Sequence, residues 1–515
     1  MNPNKSLLKS TSIVSLMTFI SRILGFVRDA LAAQIYGING TVDAFNVAFK
    51  IPNFMRNLFA EGCFSQAFVP VLSEYRTTRS ASDVKILISH VAGGLGLFLL
   101  LLTILGMLAS PAIILLFAPG YHIDTPRYQW ASEMLRITFP YILLISLTAF
   151  ASSVLNSFKH FATPAITPAL LNIVLIIAAV FFSHRFSVPI EAQAWGVLIA
   201  GFVQLSFLLI FMVKYKLFVW PRLSFKDPGV KRILKIMGPA LFGASVGQLS
   251  LLLNTIFASF LAVGSISWLY YSDRLAFFPL GVFGVALATV VLPHLSSKHA
   301  TKAPTDYAKA LDWGIRLNLL IALPAMVCLM VIAGPLIISL FQYGHFSHFD
   351  TFMTRQSVLA YSFGLPAFML VKVLCAAFYA QQQTKIAVKL GIYAILATMA
   401  LNALLVFPLA HAGLALASSL GSWLNVVLLV IALSRRNILQ KQPGWWCFIL
   451  RLVVANALLA LALYFLSGDI KTWFDTSWRW RLSHVAELGI VGLGIYGVSL
   501  GVMGMRFSDF KLNTD

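Results

Sequence analysis

Apolar residues run in stretches of about twenty or more along nearly the whole chain, and short polar or Pro/Gly-containing breaks separate them. That pattern predicts an all-α polytopic membrane protein of about fourteen spans. The stretch from Met17 to Gly62 departs from it. It reads as two long apolar helices joined by a short Gly-containing turn, yet it carries Arg22, Arg28, Asp29, Asp43, Lys50, Arg56 and Glu61. An ionised side chain near a bilayer centre costs at least about 2.5–3.5 kcal/mol, so such a group persists only where it faces protein or a water-filled cavity. Internal salt bridges that staple helices together would account for some of these charges. The cations outnumber the acids, however, which favours a polar cavity.

Helical spacing sorts these residues. Asp43, Lys50, Asn57 and Glu61 fall on one stripe of the second helix, with Arg56 off it unless Pro52 bends the chain. In the first helix Arg22 and Asp29 share a face with Gly25 between them, and Arg28 points elsewhere unless the helix distorts.

An internal repeat organises the rest. SPAIILLFAPG (110–120) recurs as GPLIISLFQYG (334–344), and FVPVLS (68–73) recurs as VLPHLS (291–296), at offsets of 224 and 223 residues. Six spans fit within one offset, and six is even, so the two halves share orientation about an axis along the membrane normal. The expected division is an N-lobe at 1–225, a C-lobe at 226–440 and a helix pair at 441–515. At an offset of 223 Lys50 falls against Asp273, beside Arg274, so both lobes carry charge at a similar depth. The charged faces of spans 1, 2 and 8 are therefore expected to meet in a cavity between the lobes, where transporters of repeated design bind substrate.

Composition narrows the class. With 59% hydrophobic and 11% charged residues and a mean hydropathy of +0.85, the chain is not a soluble globular protein. The net charge of +20 sits mostly in alternate short loops, which membrane topology explains without nucleic acid. The positive-inside rule then puts both termini in the cytoplasm. One loop dissents, 469–481, with Lys471, Arg479 and Arg481, but its Trp473, Trp478 and Trp480 suit a membrane-interface segment. Lys5 and Lys9 precede the first apolar run as in a signal peptide. That run contains Arg22 and Arg28 and lacks a cleavage site, so it reads as a retained helix. The four cysteines, Cys63, Cys328, Cys375 and Cys447, are scattered singly, without metal or disulfide spacing.

Arginine is suited to anionic oxygens because its planar fork makes two parallel hydrogen bonds to a phosphate while staying charged. Arginines inside apolar spans thus point to a phosphate or pyrophosphate ligand. No enzyme motif competes: there is no GxxxxGK[ST] and no HExxH, and Gly492, Gly494 and Gly497 spell GxGxxG only inside the last apolar span, where close helix packing explains them. His160, His294, His345 and His348 lack ligand spacing. Neither a cofactor nor a metal is expected.

SRILGFVRDALAAQIYG, TVDAFNVAFKIPNFMRNLFAEGCFSQAFVPVLSEY, FPYILLISL, MGPALFG, NTIFASFLAVGSISWLYYSDRL, GVALATVVLPHLS and SLFQYG together resemble the MurJ (MviN) lipid II flippase family over essentially the whole chain. The resemblance implies the fold of the multidrug/oligosaccharidyl-lipid/polysaccharide (MOP) exporter superfamily, two six-helix lobes around a cationic cavity plus a helix pair that forms a groove for a lipid tail. It implies transport of undecaprenyl-pyrophosphate-linked disaccharide-pentapeptide from the cytoplasmic to the periplasmic leaflet of the bacterial inner membrane, for peptidoglycan synthesis. It implies Arg22, Arg28, Arg56 and Arg274 as substrate-binding residues, with Asp29, Asp43, Lys50, Glu61 and Asp273 as cavity support or gates. Its partners would be lipid II, the phospholipid bilayer and cell-wall synthesis enzymes. Asn57 stands where close relatives often repeat an arginine, and Phe277 where some have an acid, which counts against a two-arginine clamp there. Two other readings remain: a flippase for another polyprenyl-pyrophosphate glycan of O-antigen type, and a non-transporting membrane scaffold. A membrane glycosyltransferase or phosphatase would need a sizeable extramembrane loop, and none is evident.

Overall fold

The computed structural model describes residues 3–56, 64–224, 226–301, 303–440 and 442–505, with the side chains of 3–13, 239–251, 285, 286, 288 and 289 excepted. Asn57, Glu61 and Cys63 lie outside the described residues. The chain falls into two compact units, Met1–Gly264 and Ser265–Asp515. The first holds α1 (Pro3–Tyr36), α2 (Gly40–Arg56), α3 (Phe64–Thr78), α4 (Ala81–Leu108), α5 (Ser110–Phe117), α6 (Pro126–Thr138), α7 (Tyr141–Ser157), α8 (Ala162–Ile177), α9 (Glu191–Lys214) and α10 (Pro228–Ser259). The second holds α11 (Ser265–Pro279), α12 (Val285–Ala300), α13 (Pro304–Val331), α14 (Ala333–Leu340), α15 (His348–Ala380), α16 (Thr384–Arg435), α17 (Trp445–Ser467), α18 (Ile470–Asp475) and α19 (Trp478–Val502). Among the described residues nine helical stretches are long and apolar enough to cross a membrane.

The repeat extends well beyond the two matching peptides. α4 and α13 each have 28 residues and start 223 positions apart; each is followed, after one break residue, by an eight-residue helix, α5 or α14, whose second or third residue is proline. A proline there costs nothing at a helix start and disfavours continuation of the helix before it, which fits the break at that point. α1 and α10 end 223 apart, at Tyr36 and Ser259. α16 runs for 52 residues only nominally: Ala410 has φ 47° and ψ −128° just after Pro408, which splits it into two legs that answer to α8 and α9.

In the first unit, an aromatic core of Phe64, Phe68 and Phe150 with Leu72, Leu87 and Ile88 joins α3, α4 and α7. α10 packs onto α3, α4 and α5, and its N-terminus shows why. Val230 and Ile233 enter that core, and Arg232 pairs with Glu74 at 2.8 Å. Asp227 caps the helix, its Oδ1 accepting from the Gly229 and Val230 amides at 2.7 and 3.2 Å, while its Oδ2 meets His90 Nδ1 at 2.8 Å. The preceding segment lies on α4: Arg222 N donates to the Ser89 carbonyl at 3.1 Å, and a Cβ at Gly93 would overlap the Arg222 backbone. Burial alone would raise the Asp227 carboxyl, but the bonds from His90, Val230 and Gly229 outweigh it and hold the group below the usual carboxylate range. The sign follows: Asp227 stabilises the fold fully above the ordinary aspartate value of about 3.9 and loses that contribution as pH falls through its depressed folded value. Melting of detergent-solubilised protein between pH 7 and 3 should show a steeper acid decline in the wild type than in Asp227→Asn. Parallel curves would rule the linkage out.

In the second unit, Leu311, Val373, Leu374, Phe378 and Leu429 knit α13, α15 and α16 together. A further core sets Phe448, Leu452, Leu459 and Leu463 of α17 against Leu488, Tyr496 and Leu500 of α19. Of the tryptophans expected in an interfacial segment, Trp478 and Trp480 are exposed but Trp473 is not. That ring is wholly buried, stacked edge-on against Trp480, with Nε1 donating to the Ser467 carbonyl at 2.7 Å. Arg481 is not a loop charge either. It is buried and donates to the carbonyls of Gln342 and Phe474 at 3.2 and 3.0 Å, closing the C-terminal end of α14 where helix carbonyls lack partners.

Candidate functional site

The described charges of the N-terminal stretch lie on α1 and α2, which are joined by Gly37–Asn39 as the turn signal predicts. Gly37 has φ 64°, a left-handed conformation that favours glycine, and Asn39 caps α2 by accepting from the Thr41 and Val42 amides at 3.0 and 3.1 Å.

Arg28 departs from its expected orientation. Adjacent residues on a helix do not face each other, so Arg28 was expected to point away from Asp29. Instead the guanidinium curls over its neighbour: Nε and Nη2 both donate to Asp29 Oδ1, at 2.9 and 2.6 Å, and Nη1 donates to Asn172 Oδ1 on α8 at 3.1 Å. Both residues are buried, at 8% and 3% exposure, so the pair exists where water does not screen it. Asn172 completes the arrangement by donating Nδ2 to the Ser21 carbonyl at 3.0 Å, and the open side of Gly25 faces its amide. The face shared by Gly25 and Asp29 is thus the α8-facing side of α1. The ion pair itself lies within α1, and the contact that crosses to α8 is the Arg28–Asn172 hydrogen bond. Asn172 was not singled out from sequence; its signal was a lone amide inside the apolar run PALLNIVLII.

Asp43 is also buried, at 1% exposure, and its Oδ2 accepts the Gly264 amide at 2.6 Å. Gly264 has φ 97°, and the same turn is held a second time where Gly120 N donates to Ser259 Oγ at 3.0 Å. Asp43 therefore braces the turn that leaves α10. The phenol of Tyr121, in the loop between α5 and α6, is pushed far up, first by burial and then by the Asp43 charge. Lys50, seven residues on, is half-buried. Arg22 and Arg56 are half-buried as well, and Arg56 Nε donates to Asn53 Oδ1 at 3.1 Å.

In the second unit α11 carries Asp273 and Arg274 in the register of Lys50. Asp273 carries its charge close to the hydroxyl of Tyr361, a buried residue of α15. Arg274 is exposed; its Nη2 donates to the Tyr270 hydroxyl at 3.1 Å, and its guanidinium lies 5.0 Å from the centre of that ring. The tyrosines at 270 and 361 were not anticipated as partners. Phe277 packs against Tyr361 and Phe368. Within units, then, the structure brings together Arg28 with Asp29, and Asp43 with the Gly264 turn. Among the described residues no group of three or more His, Cys, Asp or Glu is placed to hold a metal ion.

Known proteins agree with this architecture. The family model described as lipid II flippase MurJ matches residues 32–483. A protein named probable lipid II flippase MurJ from Buchnera aphidicola subsp. Acyrthosiphon pisum is 45% identical over 505 residues, covering 98% of this chain and 99% of that one. The solved structure of a lipid II flippase MurJ in an inward closed conformation superposes with a TM-score of 0.79 at 27% identity, over 95% of this chain and 98% of that one. An inward-facing multidrug resistance MATE transporter of the MOP superfamily shares the fold alone, with a TM-score of 0.68 at 14% identity over 84% of this chain and 99% of the other. Matched along nearly its full length by sequence and by fold, the chain belongs to the MurJ lipid II flippase family.

Proposed function

We propose that this protein is a lipid II flippase. It moves undecaprenyl-pyrophosphate-linked disaccharide-pentapeptide from the cytoplasmic to the periplasmic leaflet of the inner membrane by alternating access, supplying peptidoglycan synthesis. The full-length identity to proteins of that name carries this reading. The residue chemistry supports it: permanent cations on apolar helices cost energy and suit a pyrophosphate. In this proposal Arg22, Arg28, Arg56 and Arg274 take the pyrophosphate, and Asp29, Asp43, Lys50, Glu61 and Asp273 position or gate them. The prenyl tail stays in lipid along α17 and α19. The repeat boundary near residue 225 separates two six-span lobes, for fourteen spans in all, with both termini cytoplasmic. Cell-wall synthesis enzymes are the natural neighbours of the product.

Purified protein reconstituted in liposomes with labelled lipid II should bring the label to the opposite leaflet, and Arg22→Ala, Arg56→Ala or Arg274→Ala should remove most of that transfer. Arg→Lys at the same positions should retain part of it, since lysine keeps the charge but not the bidentate fork. Wild-type protein that leaves the label in place would favour the scaffold reading. Equal transfer of an O-antigen-type lipid would point to a broader glycan carrier.

A further inference from the structure

The two repeats differ at one corner. In the first unit, where α3 ends and α4 begins, the chain fills the space itself. Arg76 lies over the Phe158 ring at 4.2 Å and donates to the Ser157 carbonyl, His160 stacks on Tyr215 at 3.7 Å, and Ser80 caps α4 in a reciprocal box with Asp83. The register of this corner in the second unit is fixed by the turns. Lys159 and Gln382 both take positive φ, as do Lys216 and Asn437. By that register Arg76 becomes His299, Phe158 becomes Gln381, His160 becomes Gln383, Tyr215 becomes Arg436 and Ser80 becomes Ala303.

Each exchange removes bulk or adds polarity, and a cavity of about 300 Å³ opens there, lined by Lys298, His299, Tyr307, Gln381, Arg436 and Asn437. The ring stack is replaced by a polar contact in which Arg436 Nη1 donates to Gln383 Oε1 at 2.5 Å, which orients the guanidinium at the cavity rim. The N-terminus of α13 at the same place has no side-chain cap, unlike α4. The one acid in that first turn, Asp306, lies 3.9 Å from Lys309.

We propose that this corner is a binding site for a phosphate group, separate from the transport arginines. Lys298 supplies a compact cation, Arg436 a planar donor pair and the uncapped helix start an attracting dipole, a set that matches a phosphate mono- or diester. Both a lipid headgroup and a small soluble phosphate carry that chemistry, and a basic pocket between helices on the proposed cytoplasmic face is accessible to either.

The test is thermal stabilisation of the full-length protein in neutral detergent, titrated with inorganic phosphate and glycerol 3-phosphate in one arm and short-chain phosphatidylglycerol in the other. A saturable rise in melting point is expected, with apparent affinity weakened at least about tenfold in Lys298→Ala/Arg436→Ala, because each cation contributes a charge-assisted hydrogen bond. Gln381→Phe/Arg436→Tyr rebuilds the filled corner of the first unit; it should melt at or above the wild-type temperature and lose the response, so the result does not depend on one variant folding. Response to the soluble phosphates identifies a free phosphate ligand, and response to the lipid alone identifies a headgroup. Binding at the transport arginines would be untouched by these variants, so an unchanged response in both would overturn the proposal, as would wild-type protein that responds to neither arm.

Discussion

Arg28→Ala is expected to lower the folded stability of the protein by about 3–5 kcal/mol, because it takes from the buried Asp29 carboxylate the guanidinium that donates to it twice. Asp29→Ala should do comparable damage from the other side, taking from the buried guanidinium an acceptor that it meets twice. Removing both takes out the two charges of the pair together, and the double variant should recover much of the lost stability, a coupling that a cycle over the four proteins measures directly. Transport separates the two roles of Arg28. If it also takes the pyrophosphate, Arg28→Ala/Asp29→Ala is abundant, folded and inactive, which is the outcome expected here. Transport at the wild-type rate by the double variant would confine Arg28 to stapling α1 onto α8.

The architecture was legible where it depends on backbone chemistry. Of the peptides that disclosed the repeat, SPAIILLFAPG and GPLIISLFQYG carry their proline at the start of a helix that follows a break, and the break, the eight-residue helix and the length of the helix before it recur together. The turn between α1 and α2 was legible for the same reason, since Gly37 and Asn39 are there to meet particular backbone needs. Side-chain direction was not. Helical spacing sets where a Cβ points, but the Arg28 guanidinium is several bonds beyond its Cβ and returns to an adjacent residue. Partners without charge stayed hidden: Asn172, Tyr270 and Tyr361 look like packing residues of apolar spans until the fold brings them to an ion. Trp473 and Arg481 misled for a related reason. Their composition suits a membrane surface, yet a short helix, α18, folds the ring into the core of α17 and α19, and the guanidinium closes α14.

Asp43 yields the other large effect, and its two candidate roles predict different outcomes for one conservative change. Its carboxylate accepts the Gly264 amide while sitting in the first turn of α2, so it both anchors the turn after α10 and favours its own helix dipole. Asp43→Ala leaves a buried amide without its acceptor, at a cost of about 1–3 kcal/mol, and frees the segment through which the chain passes from the first unit to the second. Melting should fall and lipid II transfer should be largely lost. Asp43→Asn retains a carbonyl oxygen at the same reach but no charge. A brace needs only the acceptor, so the asparagine variant is expected to keep most of the thermal stability and most of the transport; the remaining loss is the dipole contribution of about 0.3–1 kcal/mol. A charge-operated gate predicts the reverse, a protein that melts like the wild type and does not transport. Paired melting and liposome assays on the two variants distinguish these outcomes, and an inactive but fully stable Asp43→Asn would move Asp43 from bracing the turn to responding to the substrate's charge.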